Sequence, residues 1–204
     1  MNDVSSKKVL HVGCGVNKPG RLHPLFSSPE WTEIRLDINP LARPDLIASI
    51  IDMRIIASAS MDALYSSHNL EHLLPHEVAK ALGEFRRVLK PDGMALVAVP
   101  DLQAVAALIA QDKPDQVLYT SPLGPVTPLD VVYGHATALE RGNLFMQHRT
   151  GFTASSLDKA LRKAGFVKTE ISRDSQNLAI WAKAYLSAES VLAPGKTTRG
   201  PFGN

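Results

Sequence analysis

The chain has 204 residues, 45% of them hydrophobic and 21% charged, with 22 basic residues against 20 acidic ones. That length suits one α/β domain with a real core, and a formal net charge of +2 gives no electrostatic ground for a nucleic-acid partner. A single cysteine, Cys14, excludes an internal disulfide, and no apolar run reaches the roughly 18 residues of a membrane-spanning helix. The first residues, Met1 to Lys8, lack the apolar centre of a signal peptide, so the expected location is cytoplasmic.

Short apolar runs alternate with helical patterns along the chain, which predicts a doubly wound, mostly parallel sheet with helices on both faces. Lys8 to Val12 is the first strand, and it runs into the turn Gly13-Cys14-Gly15. Without side chains, such a turn lets backbone N–H groups approach a ligand closely. Cys14 reads as a small residue packed under the turn rather than a nucleophile, because no partner acid or histidine adjoins it. Pro19, Pro24 and Pro29 leave room for only a short helix after the turn.

Glu33 to Asp37 is the second strand. It ends in a carboxylate about 22 residues past Gly15, a spacing suited to a ribose diol; a plain surface turn before Asn39-Pro40 is the alternative. Leu46 to Ile50 is the third strand, followed by Asp52, which either faces the same crevice or caps a short helix. Met61 to Ser66 is the fourth. Pro75 to Leu89 is the clearest helix, with Val78, Leu82, Phe85 and Leu89 in one apolar stripe, stopped by Lys90-Pro91-Asp92-Gly93. Met94 to Val99 is the fifth strand, closed by Pro100.

Asp101 to Gly151 is longer than one crossover needs. Within it Leu102–Ala110 and Leu129–Leu139 read as helices, and the Pro-rich piece around Pro114, Pro122, Pro125 and Pro128 as an ordered loop or lid. A helix from Ser155 to Ala164 follows. Two closing strands, Phe166–Ser172 and Leu178–Ala184, are joined tightly enough by Asp174 to Asn177 to form an antiparallel hairpin. One domain thus spans residues 1–186, and the tail 187–204, lacking apolar periodicity, is expected to be mobile.

With these pieces in place, the chain resembles the class I S-adenosylmethionine-dependent methyltransferases, in the type-11 methyltransferase domain group. The likeness is carried by Val9-Leu10-His11-Val12-Gly13-Cys14-Gly15, Leu36-Asp37-Ile38, Ser67-His68-Asn69-Leu70-Glu71-His72-Leu73 and Phe85-Arg86-Arg87-Val88-Leu89-Lys90-Pro91-Asp92-Gly93, in that order. It implies a Rossmann-like seven-stranded sheet with an antiparallel last strand, and S-adenosyl-L-methionine as cofactor. By the same resemblance the backbone from Val12 through Gly13, Cys14 and Gly15 meets the methionyl part and Asp37 the ribose hydroxyls. Ile38 packs on the adenine, Asp52 and the Met53 backbone read its edge, and His68 and Asn69 line the floor beneath the reactive methyl. One departure stands out: the acid often found two residues before the first glycine is replaced here by His11.

His72 and His135 are the candidate catalytic residues, each with a structural histidine as its alternative; Glu71 and His148 are read the same way. No metal ligand is assigned. The expected function is methyl transfer to a small-molecule acceptor, with the Asp101–Gly151 segment as a lid. No base is required unless the acceptor holds a proton of high pKa. A non-catalytic cofactor- or partner-binding module is the alternative. A nicotinamide oxidoreductase is disfavoured, because Lys18 stands where the third glycine of that motif belongs. Acceptor and oligomeric state are not legible.

Overall fold

The computed structural model describes residues 6–189, so most of the expected mobile tail lies outside the described residues. In chain order the main elements are β1 (Lys7–Val12), β2 (Trp31–Asp37), β3 (Leu46–Ile47), β4 (Met61–Ser67), α1 (Pro75–Val88), β5 (Leu89–Pro100) and α2 (Leu102–Ala110). Next come β6 (Tyr119–Ser121), β7 (Gly124–Val126), α3 (Pro128–Tyr133), α4 (Ala136–Glu140), α5 (Ala154–Lys163), β8 (Lys168–Asp174) and β9 (Ala179–Tyr185). Seven strands form one sheet in the order β3-β2-β1-β4-β5-β9-β8, with β9 antiparallel to both neighbours. The chain leaves β1 toward β2 on one side and returns to β4 on the other. This reversal opens a crevice at the carboxyl ends of β1 and β4, where α/β folds place their ligands.

Continuous apolar strands need cover on both faces. On one face α1 and α5 supply it. Pro75 starts α1 where the missing N–H costs nothing, and the Leu74 N–H donates to Glu77 Oε2 at 2.9 Å. Val78, Leu82 and Phe85 of α1 and Leu157 and Leu161 of α5 then bury against Leu10, Val12, Leu64, Val97 and Ile180.

The other face departs locally from the expected helical cover, in the segment after β1. Between Gly15 and Trp31 the only helical piece is a 3-10 turn, Pro24–Phe26, which Pro24 and the flanking prolines keep short. Phe26, 1% exposed, plugs a cluster with Val9, Ala63, Tyr65, Met94, Leu96 and Tyr185, and Trp31 and Trp181 close its rim. His23 lies inside this aromatic cover, 5.2 Å from the Trp181 ring and 5.9 Å from Tyr65, and its Nδ1 accepts the Leu25 N–H.

Other differences are local. β3 ends at Ile47 because Ser49 and Asp52 pair with each other in a tight bridge. Lys90 to Gly93 joins β5, whose pairing with β4 shifts register between Met61 and Ala63, rather than standing apart as a turn. The helix expected over Leu129–Leu139 breaks into α3 and α4 at Gly134, where φ is +104° and a Cβ would lie 2.1 Å from the Met146 carbonyl. The Pro-rich piece folds as the β6–β7 hairpin.

Burial, aided by the Lys183 charge, pushes the His23 pKa down to about 4. Between about 4 and the ordinary histidine value the unfolded chain binds a proton that the folded chain refuses, so stability falls as pH drops from about 6.5 and stops falling below about 4. Urea denaturation at about pH 7 and about pH 4.5 should show a loss on the order of 1–3 kcal/mol for the native chain. His23→Asn keeps an acceptor for the Leu25 N–H and should show a clearly smaller loss, whatever its baseline; an equal loss would contradict this assignment.

Candidate functional site

Val12 ends β1 fully buried, and the chain then bends at Gly13 (φ +59°) and Gly15 (φ +61°), both in the left-handed region that suits glycine. A Cβ on Gly13 would lie 1.8 Å from Asn69 Oδ1. The Asn69 amide thus packs on the bare Cα, and its Nδ2 donates to the Val12 carbonyl at 3.0 Å and to Ser66 Oγ at 3.2 Å. On the β2 side, the Gly15 N–H donates to Asp37 Oδ2 at 2.7 Å and the Asn39 N–H to Oδ1 at 2.8 Å. Arg35 completes the clamp, donating from Nη2 to the Gly15 carbonyl at 2.6 Å and from Nη1 to the Arg43 carbonyl at 2.9 Å. Asp37 therefore faces the bend, and each of its oxygens keeps a further lone pair for a ligand. Ile38, immediately beyond it, is 51% exposed at the crevice mouth.

The third-strand residues are differently employed. Asp52 is gripped by Arg54, Nε to Oδ1 and Nη2 to Oδ2 both at 2.8 Å, on the edge of a shallow depression of about 590 Å³ lined also by Ile47, Ser49 and Ile55. That exposed pair holds the Asp52 carboxyl below its ordinary pKa. Met53 is fully buried; its N–H donates to Glu84 Oε2 at 2.6 Å and its carbonyl accepts from Arg87 Nη2 at 2.8 Å. The Met53 backbone is thus held by Glu84 and Arg87 of α1.

A second depression, about 280 Å³, adjoins the bend and carries both signs of charge on Lys18, Arg21, Glu33 and Arg35. His11 Nδ1 lies 2.6 Å from Glu33 Oε1 in this region. Burial lowers the His11 pKa against the pull of Glu33. A carboxylate thus stands beside the bend after all, supplied by β2 rather than by β1. Cys14 is buried beneath, and burial, with the nearby Asp37 and Glu33 charges opposing Arg35, pushes its thiol up to about 11. It remains a protonated packing residue.

At the end of β4 His68 takes φ +54°, and the chain enters a 3-10 turn, Leu70–His72. Glu71 is 1% exposed, and neither carboxylate oxygen has a hydrogen-bond partner among the described residues; His68 Nδ1 stands 3.3 Å from Oε1. The Glu71 carbonyl accepts the N–H groups of Arg149 (2.8 Å) and Thr150 (3.1 Å), which staples the end of the long insertion to this turn. His148 is thereby carried over His72, their ring centroids 4.8 Å apart. Burial works to raise the Glu71 pKa, but His68, His72 and His148 together pull it below its ordinary value. The Glu71 carboxylate in turn raises the pKa of the half-exposed His68 ring.

Of the two candidate catalytic histidines, the fold brings His72 together with Glu71, His148 and His68. His135 stays within the insertion, its Nε2 3.2 Å from Ser121 Oγ. Arg35, Glu33 and Arg21 at the bend were not singled out from the sequence. The paired parallel register, Val9 opposite Glu33 and His11 opposite Arg35, is what places Glu33 and Arg35 there.

The tight Gly13–Asn69 approach has a direct consequence. Gly13→Ala should lower stability by about 2–4 kcal/mol in urea melts, combining left-handed strain and the clash. Gly13→Ala with Asn69→Ala should lose less than the sum of the two single changes, because the clash disappears while the strain persists. Strict additivity would show that Asn69 does not press on this Cα.

Comparison with known proteins accords with this geometry. Residues 10–97 match the family model described as a methyltransferase domain. No curated protein sequence matches the chain. Among solved structures, the chain is similar to the CMeT domain of citrinin polyketide synthase (15% identity, TM-score 0.58, 92% of this chain and 48% of that one). It is also similar to a SAM-dependent methyltransferase from Archaeoglobus fulgidus (17%, TM-score 0.54, 88% and 86%). A third is the 1,6-didemethyltoxoflavin-N1-methyltransferase of Burkholderia thailandensis, solved with 1,6-didemethyltoxoflavin and S-adenosylhomocysteine (16%, TM-score 0.51, 88% and 69%). The chain spans about half the length of the first of these, and likeness at such identities speaks for the fold. The match over residues 10–97 and the sheet order β3-β2-β1-β4-β5-β9-β8 together give this chain a methyltransferase-domain signature on the fold those structures share.

Proposed function

We propose that this chain transfers the methyl group of S-adenosylmethionine to a small-molecule acceptor held between the crevice and the 101–151 insertion. The observation that carries the reading is the Asp37 carboxylate, aimed at the bare Gly13–Gly15 bend where the sheet order reverses. A ribose diol donates to the free lone pairs of Asp37, and half-exposed Ile38 offers an apolar face to the adenine. The Gly13 to Gly15 backbone lies beside the methionyl part, and Lys18, Arg21 and Glu33 offer both signs of charge to its zwitterionic end. Asp52, although held by Arg54, keeps a lone pair on each oxygen for the adenine amino group. His68 and Asn69 form the floor at the end of β4, with His72 beyond them.

When bound, the cofactor supplies a methyl group already activated by its sulfonium. The protein's task is alignment, and correct placement of the acceptor is worth on the order of 7–11 kcal/mol. The insertion, pinned to the Leu70–His72 turn through Glu71, shields the approach from water. An acceptor of modest size suits a site roofed by a single insertion, and a near-neutral chain offers no field for a nucleic acid. No helix among the described residues is long and apolar enough to cross a membrane. A binding-only role draws on a different fact, that His11 stands where an acid is common and only the 3-10 turn Pro24–Phe26 follows the bend.

Incubation with methyl-labelled S-adenosylmethionine and the small-molecule, protein and nucleic-acid fractions of a cell extract separates these readings. Label should enter the small-molecule fraction, and Asp37→Ala should cut the rate at least about tenfold through loss of a charged hydrogen-bond acceptor. Label confined to protein or nucleic acid overturns the acceptor class, and cofactor binding without transfer to any fraction leaves the binding-only role.

A further inference from the structure

We propose that Glu71, His72 and His148 form a binding site for a divalent first-row transition-metal ion of the Zn²⁺ type. One ligand atom from each of the three lies within 4.8 Å of the others. Zn²⁺ holds such donors at about 2.0–2.2 Å in a tetrahedron, so donors on one ion stand about 3.4 Å apart, and the side chains close the set by rotating inward.

Two independent features point to a ligand here. The first is the Glu71 carboxylate itself, almost completely buried with neither oxygen hydrogen-bonded among the described residues, although the exposed His68 ring stands 3.3 Å from Oε1. A buried charge in that state is expensive, and a cation between it and the imidazoles relieves the cost. The second is the orientation of the two rings. His72 Nδ1 lies 3.1 Å from the Gln147 carbonyl and His148 Nδ1 lies 2.7 Å from the Val131 carbonyl. A carbonyl only accepts, so both Nδ1 atoms carry protons, and in the neutral rings both Nε2 atoms carry lone pairs. A backbone carbonyl behind the far nitrogen is the usual outer partner of a metal-bound histidine.

Two imidazoles and one carboxylate suit a borderline ion better than Mg²⁺ or Ca²⁺, which prefer oxygen donors throughout. Three protein ligands leave a further coordination position for water or for an oxygen of another molecule, as in catalytic rather than structural sites. The site is assembled from both sides of the insertion's staple: Glu71 and His72 come from the turn after β4, and His148 from the segment whose Arg149 and Thr150 amides bind the Glu71 carbonyl.

The test is independent of methyl transfer. Chelator-stripped protein is titrated with Zn²⁺ by calorimetry and with Co²⁺ by visible absorbance. One equivalent should bind, Co²⁺ should show d–d bands of a low-coordinate site, and Glu71→Gln and His148→Ala should each weaken binding at least tenfold. His76→Ala, an exposed histidine on α1, should leave binding unchanged. Absence of binding to the native protein, or equal binding by Glu71→Gln and His148→Ala, overturns the proposal. Because His148→Ala changes only the insertion, it keeps the test decisive even if Glu71→Gln folds poorly.

Discussion

The hydrogen bond from the Gly15 N–H to Asp37 is the constraint on which the cofactor end of this molecule depends. A glycine bend has little conformational preference of its own, so something must hold it in one shape. Here the end of β2 does so twice, through the Asp37 carboxylate on the Gly15 amide and through the Arg35 guanidinium on the Gly15 carbonyl. Asn69 holds the other side, its side chain filling the space a Cβ on Gly13 would need. The bend is thus fixed by β2 and β4 together, with β1 between them. Charged partners make such hydrogen bonds about twice as strong as neutral ones, which suits a loop that must stay rigid without a following helix.

That missing helix explains the unusual far face of the sheet. Where a long helix commonly follows the glycine turn, this chain uses a proline-punctuated loop and buries aromatic groups instead of a helical stripe. Phe26, Tyr65, Trp31 and Trp181 provide the apolar area, and His23 sits among them in its neutral form. The helical face is organised more conventionally, but it too serves the site, since Glu84 and Arg87 of α1 lock the Met53 backbone between them.

Much of this was legible in the sequence because it is periodic or carried by spacing. The five parallel strands, α1, α2, α5 and the closing hairpin follow from apolar runs and turn residues, and the Gly15–Asp37 spacing located the bend and its carboxylate. What stayed hidden depends on partners remote along the chain. Nothing near Met53 announces that its amide is claimed by Glu84, and nothing near His11 announces Glu33 across the strand pair. Gly134 read as an ordinary helix residue because the Met146 carbonyl that excludes a side chain there arrives by folding. His72 was legible as a member of a motif, whereas its pairing with His148 exists only because the insertion is stapled back on Glu71.

The central claim, that an adenosine group is gripped by one carboxylate facing a bare-backbone bend, is tested most directly by calorimetric titration of S-adenosylhomocysteine. The account predicts one site per chain in the native protein, and for Asp37→Ala an affinity lower by about 1.5–3 kcal/mol with the sheet still folded by circular dichroism. No heat of binding in the native protein, or the same affinity in Asp37→Ala, would contradict it.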